Sequence, residues 1–352
     1  MSQQIPSWEE ILERLQEKQD LSEFQSHWAM QQILSGSADT ETIKGFLLSL
    51  KNKGEKPKEV TALVDEMYNH ASLIKVAERC VDIVGTGGDG AQTINISTAA
   101  AIVTTAAGAR TLKHGNRAAT SKSGAADLLE ALGVNINLNA AGVAECVRKI
   151  GIGFAFAPNF HPAMKHAAAA RKELGVPTVF NILGPLANPA KPTAVAIGVA
   201  RLELLELVAQ VLAGRGCQGF VFRGNDGLDE ISLGTTSTVY IIRDGEIRVE
   251  NFDPLNLGFE PIDVAQLKGG DAKANAAITR EVFTGKKSAY REAILINAAA
   301  AIAAFKGDLD LGIEQQLANG YVYAKQAIDS GAAAQLLERW ADLSNELAKS
   351  SL

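Results

Sequence analysis

Asp82-Ile83-Val84-Gly85-Thr86-Gly87-Gly88-Asp89-Gly90, continued by Thr93-Ile94-Asn95-Ile96-Ser97-Thr98 and a run of alanines, reads as a short apolar strand entering a glycine turn and then a helix. Glycine has no Cβ, so such a turn can bring backbone N–H groups within hydrogen-bond reach of an anion. The first turn of the helix adds unpaired N–H groups and the positive end of its dipole. The stretch predicts an α/β unit whose strand-to-helix loop is an anion cradle. Gly85, Gly87 and Gly90 satisfy G-x-G-x-x-G, but a dinucleotide fold wants an acid roughly 20 residues later. There the chain reads Ala109-Arg110-Thr111-Leu112-Lys113, which is basic. No Gly-Lys-Ser/Thr closes the loop, so a nucleoside-triphosphate loop is excluded as well. A glycine turn without a ligand is the bland alternative, and the crowd of Asp89, Thr93, Asn95, Ser97 and Thr98 behind the glycines argues against it.

Apolar strands alternate with alanine-rich helices from Val81 onward, which predicts a largely parallel sheet. The candidate strands are Val81 to Val84, Thr111 to Leu112, Phe154 to Phe156, Val195 to Val199 and Gly219 to Phe222, then a hairpin of Thr238 to Ile242 and Glu246 to Val249 turned by Asp244-Gly245. Residues 7 to about 70 are purely helical in pattern, with Trp8, Ile11, Leu12 and Leu15 and then Ile43, Phe46, Leu47 and Leu50 at helical spacing. Between two of these helices Lys51 to Glu59 reads as a solvated loop. The alternation breaks between His161 and Pro189, where Met164 to Leu174 predicts a helix and Phe180 to Pro189 a structured crossover. The C-terminal part is helical, with Ala298 to Ala304 small enough for close helix packing.

The chain's 352 residues, 47% of them hydrophobic, suffice for two domains. A net charge of −6 argues against a broad nucleic-acid-binding surface. No apolar run reaches membrane-spanning length and residues 1–10 lack a signal-peptide pattern, so a cytoplasmic protein is expected. Cys80, Cys146 and Cys217 are odd in number and far apart, which predicts buried thiols rather than a disulfide or metal framework.

In open α/β sheets ligands gather at the carboxyl ends of strands, so clusters directly after strands carry the functional argument. Lys113-His114-Gly115-Asn116-Arg117, with Thr120-Ser121-Lys122-Ser123-Gly124 before a helix near Ala126, offers cations and hydroxyls suited to phosphate. Gly224-Asn225-Asp226-Gly227-Leu228-Asp229-Glu230 presents adjacent carboxylates able to hold Mg²⁺ while phosphates and waters complete the octahedron. His161-Pro162-Ala163-Met164-Lys165-His166 precedes Arg171, whose planar fork suits a substrate carboxylate.

Gly85-Thr-Gly-Gly-Asp-Gly, Asn95-Ile-Ser-Thr, Lys113-His-Gly-Asn-Arg, His161-Pro-Ala-Met-Lys, Phe180-Asn-Ile-Leu-Gly-Pro-Leu-Ala-Asn-Pro and Gly227-Leu-Asp-Glu together resemble the anthranilate phosphoribosyltransferase family, in its motif order and over nearly the whole chain. The resemblance implies a small all-helical domain (residues 1–70, completed by about 160–190) beside a larger α/β domain (71–159 and 191–352) with a central, largely parallel sheet. The active site then lies in the cleft between them, and the chain pairs as a homodimer through the helical domain.

The resemblance also implies that Gly85, Gly88, Asp89, Thr93, Asn95, Ile96, Ser97 and Thr98 hold phosphoribosyl pyrophosphate. Lys113, His114, Gly115, Asn116, Arg117, Ala118, Ala119, Thr120 and Ser121 would add contacts to it, with Ala125 at a further contact position. Ser97, Asp229 and Glu230 match the family's Mg²⁺ ligands, and Gly85, Asn116 and Arg171 its anthranilate contacts; no catalytic base is indicated. Gly124-Ala125-Ala126-Asp127 stands where the family has Gly-Ser-Ala-Asp, a lost hydroxyl that weakens binding by no more than about tenfold. Ala169-Ala170 and Pro177 also depart from the family pattern on the anthranilate side. The rival readings are a pyrimidine nucleoside phosphorylase-like enzyme of the same fold, against which the Lys113 loop and Arg171 speak, and a non-catalytic nucleic-acid-binding relative, which would have lost the cradle and gained a basic groove.

Overall fold

A computed structural model describes residues 5–118 and 121–350, so Ala119 and Thr120 of the basic loop lie outside the described residues. Four helices come first: α1 (Trp8–Gln16), α2 (Glu23–Leu34), α3 (Thr40–Lys53) and α4 (Pro57–Asn69). Each starts where its first N–H groups are provided for. Ser7 accepts from Glu10 N, Ser22 from Gln25 N and Asp39 from Thr42 N, and Pro57 sits where no N–H is needed.

The α/β part begins with β1 (Val81–Gly85), α5 (Ile96–Ala106), β2 (Thr111–Gly115), α6 (Ala125–Ala131), α7 (Ala140–Ile150) and β3 (Ile152–Phe156). A crossover of short helices follows, α8 (Ala157–Phe160), α9 (Ala168–Leu174) and α10 (Phe180–Leu186). The chain returns to the sheet with β4 (Ala194–Gly198), α11 (Leu205–Gly214), β5 (Gln218–Gly224) and the hairpin β6 (Ser237–Arg243) and β7 (Glu246–Phe252). It closes with α12 (Ala272–Phe283), α13 (Ala289–Lys306), α14 (Ile313–Asp329) and α15 (Ala332–Ser350).

The seven strands lie in the order β3-β2-β1-β4-β5-β6-β7, parallel from β3 to β5 and antiparallel at the hairpin. Both faces are covered, as a parallel sheet requires. On β4 the alternation is plain: Val195 and Ile197 pack with α11, the crossover and the N-terminal helices, whereas Ala194 and Ala196 face the core built by α5 and α13. Strand order reverses between β1 and β4, whose last residues Gly85 and Gly198 are paired. That reversal is where an open α/β sheet leaves a crevice for ligands.

Several expectations need correction. The segment Lys51 to Glu59 is not a solvated loop, because α3 runs on to Lys53 and α4 starts at Pro57. Lys53 and Glu59 form a 2.9 Å ion pair with both side chains buried, and Glu59 also accepts from Leu21 N at 2.8 Å. The second strand reaches Gly115, so Lys113 and His114 are strand residues paired with Phe154 and Ala155 and are buried. Met164 to Leu174 is not one helix: a 3-10 turn over Pro162–Ala167 precedes α9. The crossover Phe180 to Pro189 contains α10, with Pro185 inside it. Cys80 and Cys146 are buried free thiols, but Cys217 is only half-buried.

Candidate active site

The anions nearest the cradle are the protein's own. Asp229 lies over the reversal point and accepts a 2.6 Å hydrogen bond from Gly87 N. A Cβ at Gly85 would run into its carboxylate, and one at Gly198 into its backbone. These two glycines are needed because the acid loop crosses directly above the paired strand ends. Glu230 takes the position expected of an external anion, accepting from Ser97 N at 3.1 Å in the first turn of α5. Farther out, Gly87, Gly88 and Gly90 have positive φ, and a Cβ at any of them would meet only open space.

Asp229 and Glu230 are buried with Asp89 beside them. Burial and the Asp89 charge push the Asp229 carboxyl up to about 7. Burial and the Asp229 charge raise Glu230 well above the usual carboxylate range, against the pull of Lys113. Removing two adjacent carboxylates from water is costly unless a cation joins them. The Lys113 ammonium, buried beneath, is part of the answer: it donates to Ile83 O at 2.5 Å and to Ser97 Oγ at 3.3 Å. Desolvation lowers its pKa, opposed by the charges of Asp82, Glu230 and Asp229. An all-oxygen set of Asp229, Glu230 and the Ser97 hydroxyl is the donor chemistry that Mg²⁺ takes, so the residues present fit that ion.

Around this centre lies a second buried layer. Asp82 on β1 accepts from His114 N at 3.3 Å and from Asn188 Nδ2 at 2.8 Å, and burial pushes its carboxyl up to about 6. His114 is bonded through Nδ1 to Gly184 O at 2.9 Å and lies 5.2 Å from the His161 ring. Burial holds its pKa down to about 3, so the ring is neutral. With Nδ1 donating to that carbonyl, Nε2 is a buried acceptor without a partner among the described residues.

The basic loop divides. Gly115 ends β2 against Phe154 and Ala125, whereas Asn116 is exposed and its Oδ1 accepts from Arg117 N at 2.7 Å. Arg117 does not offer itself to a phosphate: it bonds Asp127 at 2.7 Å and Glu130 at 2.6 Å and lies over the Phe156 ring. Asp127 also accepts from Gly124 N and Ala118 N, which ties the loop to the start of α6. Ser121 donates to Ser123 O at 3.1 Å. The Asn95 side chain is occupied as well, donating to Ser123 O at 2.9 Å and accepting from Ser123 Oγ and Asn275 Nδ2. Thr93 bridges through its backbone to Lys268, and the side chains of Ile96 and Thr98 are buried.

Arg171 lies on α9, its guanidinium 5.6 Å from the centre of the Phe180 ring. Among the described residues it has no ion-pair partner, and desolvation lowers its pKa. Phe180 beneath it and Gly184, whose carbonyl holds His114, are four residues apart and so share one face of α10. One helix thereby relates the arginine to the carboxyl end of β2.

Sequence reasoning passed over two asparagines. Asn297, fully buried in α13, accepts from Ile231 N at 2.8 Å and donates to Ile231 O at 3.2 Å, fixing the peptide directly after Glu230. Asn275 joins the loops around the cradle. The available signal was a lone amide in an otherwise apolar run, Ile294-Leu295-Ile296-Asn297-Ala298, because a buried amide needs partners.

Residues 9–71 match the helical bundle domain of a glycosyl transferase family and residues 77–334 its α/β domain, the two-part arrangement just described. The chain is 52% identical over 344 residues to the anthranilate phosphoribosyltransferase of Rhodococcus jostii (strain RHA1), covering 98% of this chain and 95% of that protein. The crystal structure of the Thermus thermophilus anthranilate phosphoribosyltransferase matches with a TM-score of 0.88 and 37% identity, over 95% of this chain and 99% of that one. The Saccharomyces cerevisiae enzyme in complex with phosphoribosyl pyrophosphate and Mg matches with a TM-score of 0.87 and 30% identity, over 96% and 98% of the two chains. The chain belongs to the anthranilate phosphoribosyltransferase family.

Proposed function

We infer that this protein transfers the phosphoribosyl group of phosphoribosyl pyrophosphate to anthranilate, forming N-(5-phosphoribosyl)anthranilate and pyrophosphate in tryptophan biosynthesis. The observation that carries the reading is the pair of buried carboxylates, Asp229 and Glu230, seated on Gly87 N and Ser97 N at the sheet's reversal point. Such a pair calls for a cation, and a pyrophosphate leaving group brings the oxygens that share it. Asp229, Glu230 and Ser97 would hold Mg²⁺, which when bound neutralises negative charge developing on the departing pyrophosphate.

The open glycines Gly88 and Gly90, with Asp89 and the first turn of α5, form the wall on which pyrophosphate would lie. Lys113 supplies a fixed positive charge beneath that wall and needs no rearrangement as charge develops. Asn116 and Arg171 are assigned to anthranilate, the guanidinium receiving its carboxylate in a charge-assisted, bidentate fashion. The anthranilate nitrogen forms its bond to C1′ as the C1′–O bond to pyrophosphate breaks, and the amine releases one proton. An aromatic amine is unprotonated at neutral pH, so orientation by these side chains contributes more than a strong base would.

Arg117, with both acid partners in place, is assigned to holding α6 and the Lys113 loop rather than to the phosphate. No helix among the described residues is long and apolar enough to cross a membrane. A cytoplasmic homodimer joined through the helical domain is part of the same reading. Loss of anthranilate fluorescence on mixing the protein with phosphoribosyl pyrophosphate and Mg²⁺ tests it; absence of turnover overturns it.

A further inference from the structure

We propose that Asn275, far from the motifs in sequence, is a positioning residue that sets the spacing between the loops after β1 and β2 and thereby the site for the pyrophosphate-bearing substrate. The inference rests on the functional reading above and extends it to a residue that touches no substrate. Asn275 lies in the first turns of α12 and is 1% exposed. Its Nδ2 donates to Asn95 Oδ1 at 3.0 Å, and its Oδ1 accepts from Gly270 N at 2.8 Å. Asn95 carries the connection onward, since its Oδ1 also accepts from Ser123 Oγ at 3.2 Å and its Nδ2 donates to Ser123 O at 2.9 Å. One clasp, buried at Asn275 and Ser123 and half-buried at Asn95, therefore joins the entry to α5, the end of the basic loop and the strap before α12.

The strap itself is laid against the cradle. Ile94 N donates to Leu267 O at 2.9 Å and Gly269 N to Gln92 O at 2.8 Å. A Cβ at Gly269 would stand 2.8 Å from Thr93 O and 2.9 Å from Asn275 Oδ1, so glycine is required for this approach. Between the strap and the two loops a small polar pocket opens, lined by Gln92, Thr93, Ser121, Lys122 and Ser123 with Gly269 and Gly270. Its walls come from three separate segments, and the Asn95–Ser123–Asn275 clasp is what holds them at one distance. Anthranilate is assigned to Arg171 on the other domain and to Asn116, which directly follows β2 at the opposite end of the basic loop from Ser123.

Asn275→Asp is the informative variant. It keeps shape and the acceptor for Gly270 N, but sets a carboxylate oxygen against Asn95 Oδ1 where a donor stood. Steady-state kinetics should show KM for phosphoribosyl pyrophosphate raised about tenfold or more, with KM for anthranilate and kcat at saturation within about twofold of wild type. Calorimetric titration with Mg²⁺ and pyrophosphate alone should show weakening by a similar factor. Ser123→Ala, which removes one hydroxyl from the same clasp, should shift KM for phosphoribosyl pyrophosphate in the same direction by a smaller factor, and it serves as the probe if Asn275→Asp does not fold. An unchanged KM for phosphoribosyl pyrophosphate in a folded variant overturns the proposal. So does a parallel change in both KM values and kcat with a fall in Tm, the mark of a merely structural residue. Wild-type protein run alongside separates the two ideas, because its failure to turn over would remove the functional reading itself.

Discussion

The two walls proposed for the site, the acid loop over the sheet and α9 of the crossover, are built on opposite electrostatic plans. On the α/β side, Asp229 and Glu230 are buried around the ammonium of Lys113, their carboxyls pushed up by desolvation and by neighbouring acids. On the helical side, Arg171 lies over an aromatic ring with no acid paired to it among the described residues. One wall gathers more acids than its ammonium can balance, and the other holds a cation with no acid beside it among the described residues. On the reading proposed above, the first is prepared for a metal cation and the second for a planar carboxylate.

The largest effect expected from breaking this contrast is on the acidic wall. Changing Asp229 and Glu230 together to their amides should lower turnover by roughly 10²- to 10³-fold and move the Mg²⁺ dependence to higher concentration, since the charge that would hold the cation against the leaving group is lost. A metal titration that overlays the wild type would detach these residues from the metal.

The next probe is His114, buried between the walls with its pKa held down to about 3. Its neutral form is favoured in the fold, so its contribution to stability is complete above its unfolded pKa of about 6.5 and is lost as pH falls from there toward 3. In urea denaturation, His114→Gln should gain on the wild type by roughly 2 kcal/mol between about pH 6.5 and about pH 4.5, as the variant carries no such titration. Parallel pH profiles would show that this ring is not held neutral.

On the cationic wall, Arg171→Ala should raise KM for anthranilate by about 10- to 100-fold, the range for a hydrogen bond to a charged group, with a smaller fall in kcat. An unchanged KM would remove the carboxylate role. The smallest effect is expected at Ala125, which packs near Gly115 at the start of α6. Ala125→Ser restores one neutral hydroxyl and should lower KM for phosphoribosyl pyrophosphate by no more than about tenfold, leaving KM for anthranilate as it was.

Much of this contrast is legible in the chain because short-range rules govern it. A glycine turn between an apolar strand and an alanine-rich helix defines the cradle, and the period of the apolar residues separates the helical from the α/β part. The expectations that failed did so where tertiary neighbours decide. Lys113 and His114 sit in a cluster rich in loop-forming residues, yet pairing with β3 draws them into the sheet. Arg117 looks as available as Arg171, and only the arrival of Asp127 and Glu130 on α6 occupies it. Lys53 and Glu59 look solvated until Leu21 N is found against the same carboxylate.

The class of fold, the anion-binding turn and the family are all written in the order of residues, because backbone chemistry and motif order are local properties. Which anion that turn grips first is a matter of distant contacts. Asp229 and Glu230, more than a hundred residues downstream, reach Gly87 N and Ser97 N through the pairing of β1 with β4 and of β4 with β5. Likewise Asn275 and Asn297 gain their importance from burial, since an amide excluded from water must bond whatever loop lies opposite it. No local pattern states which loop that will be.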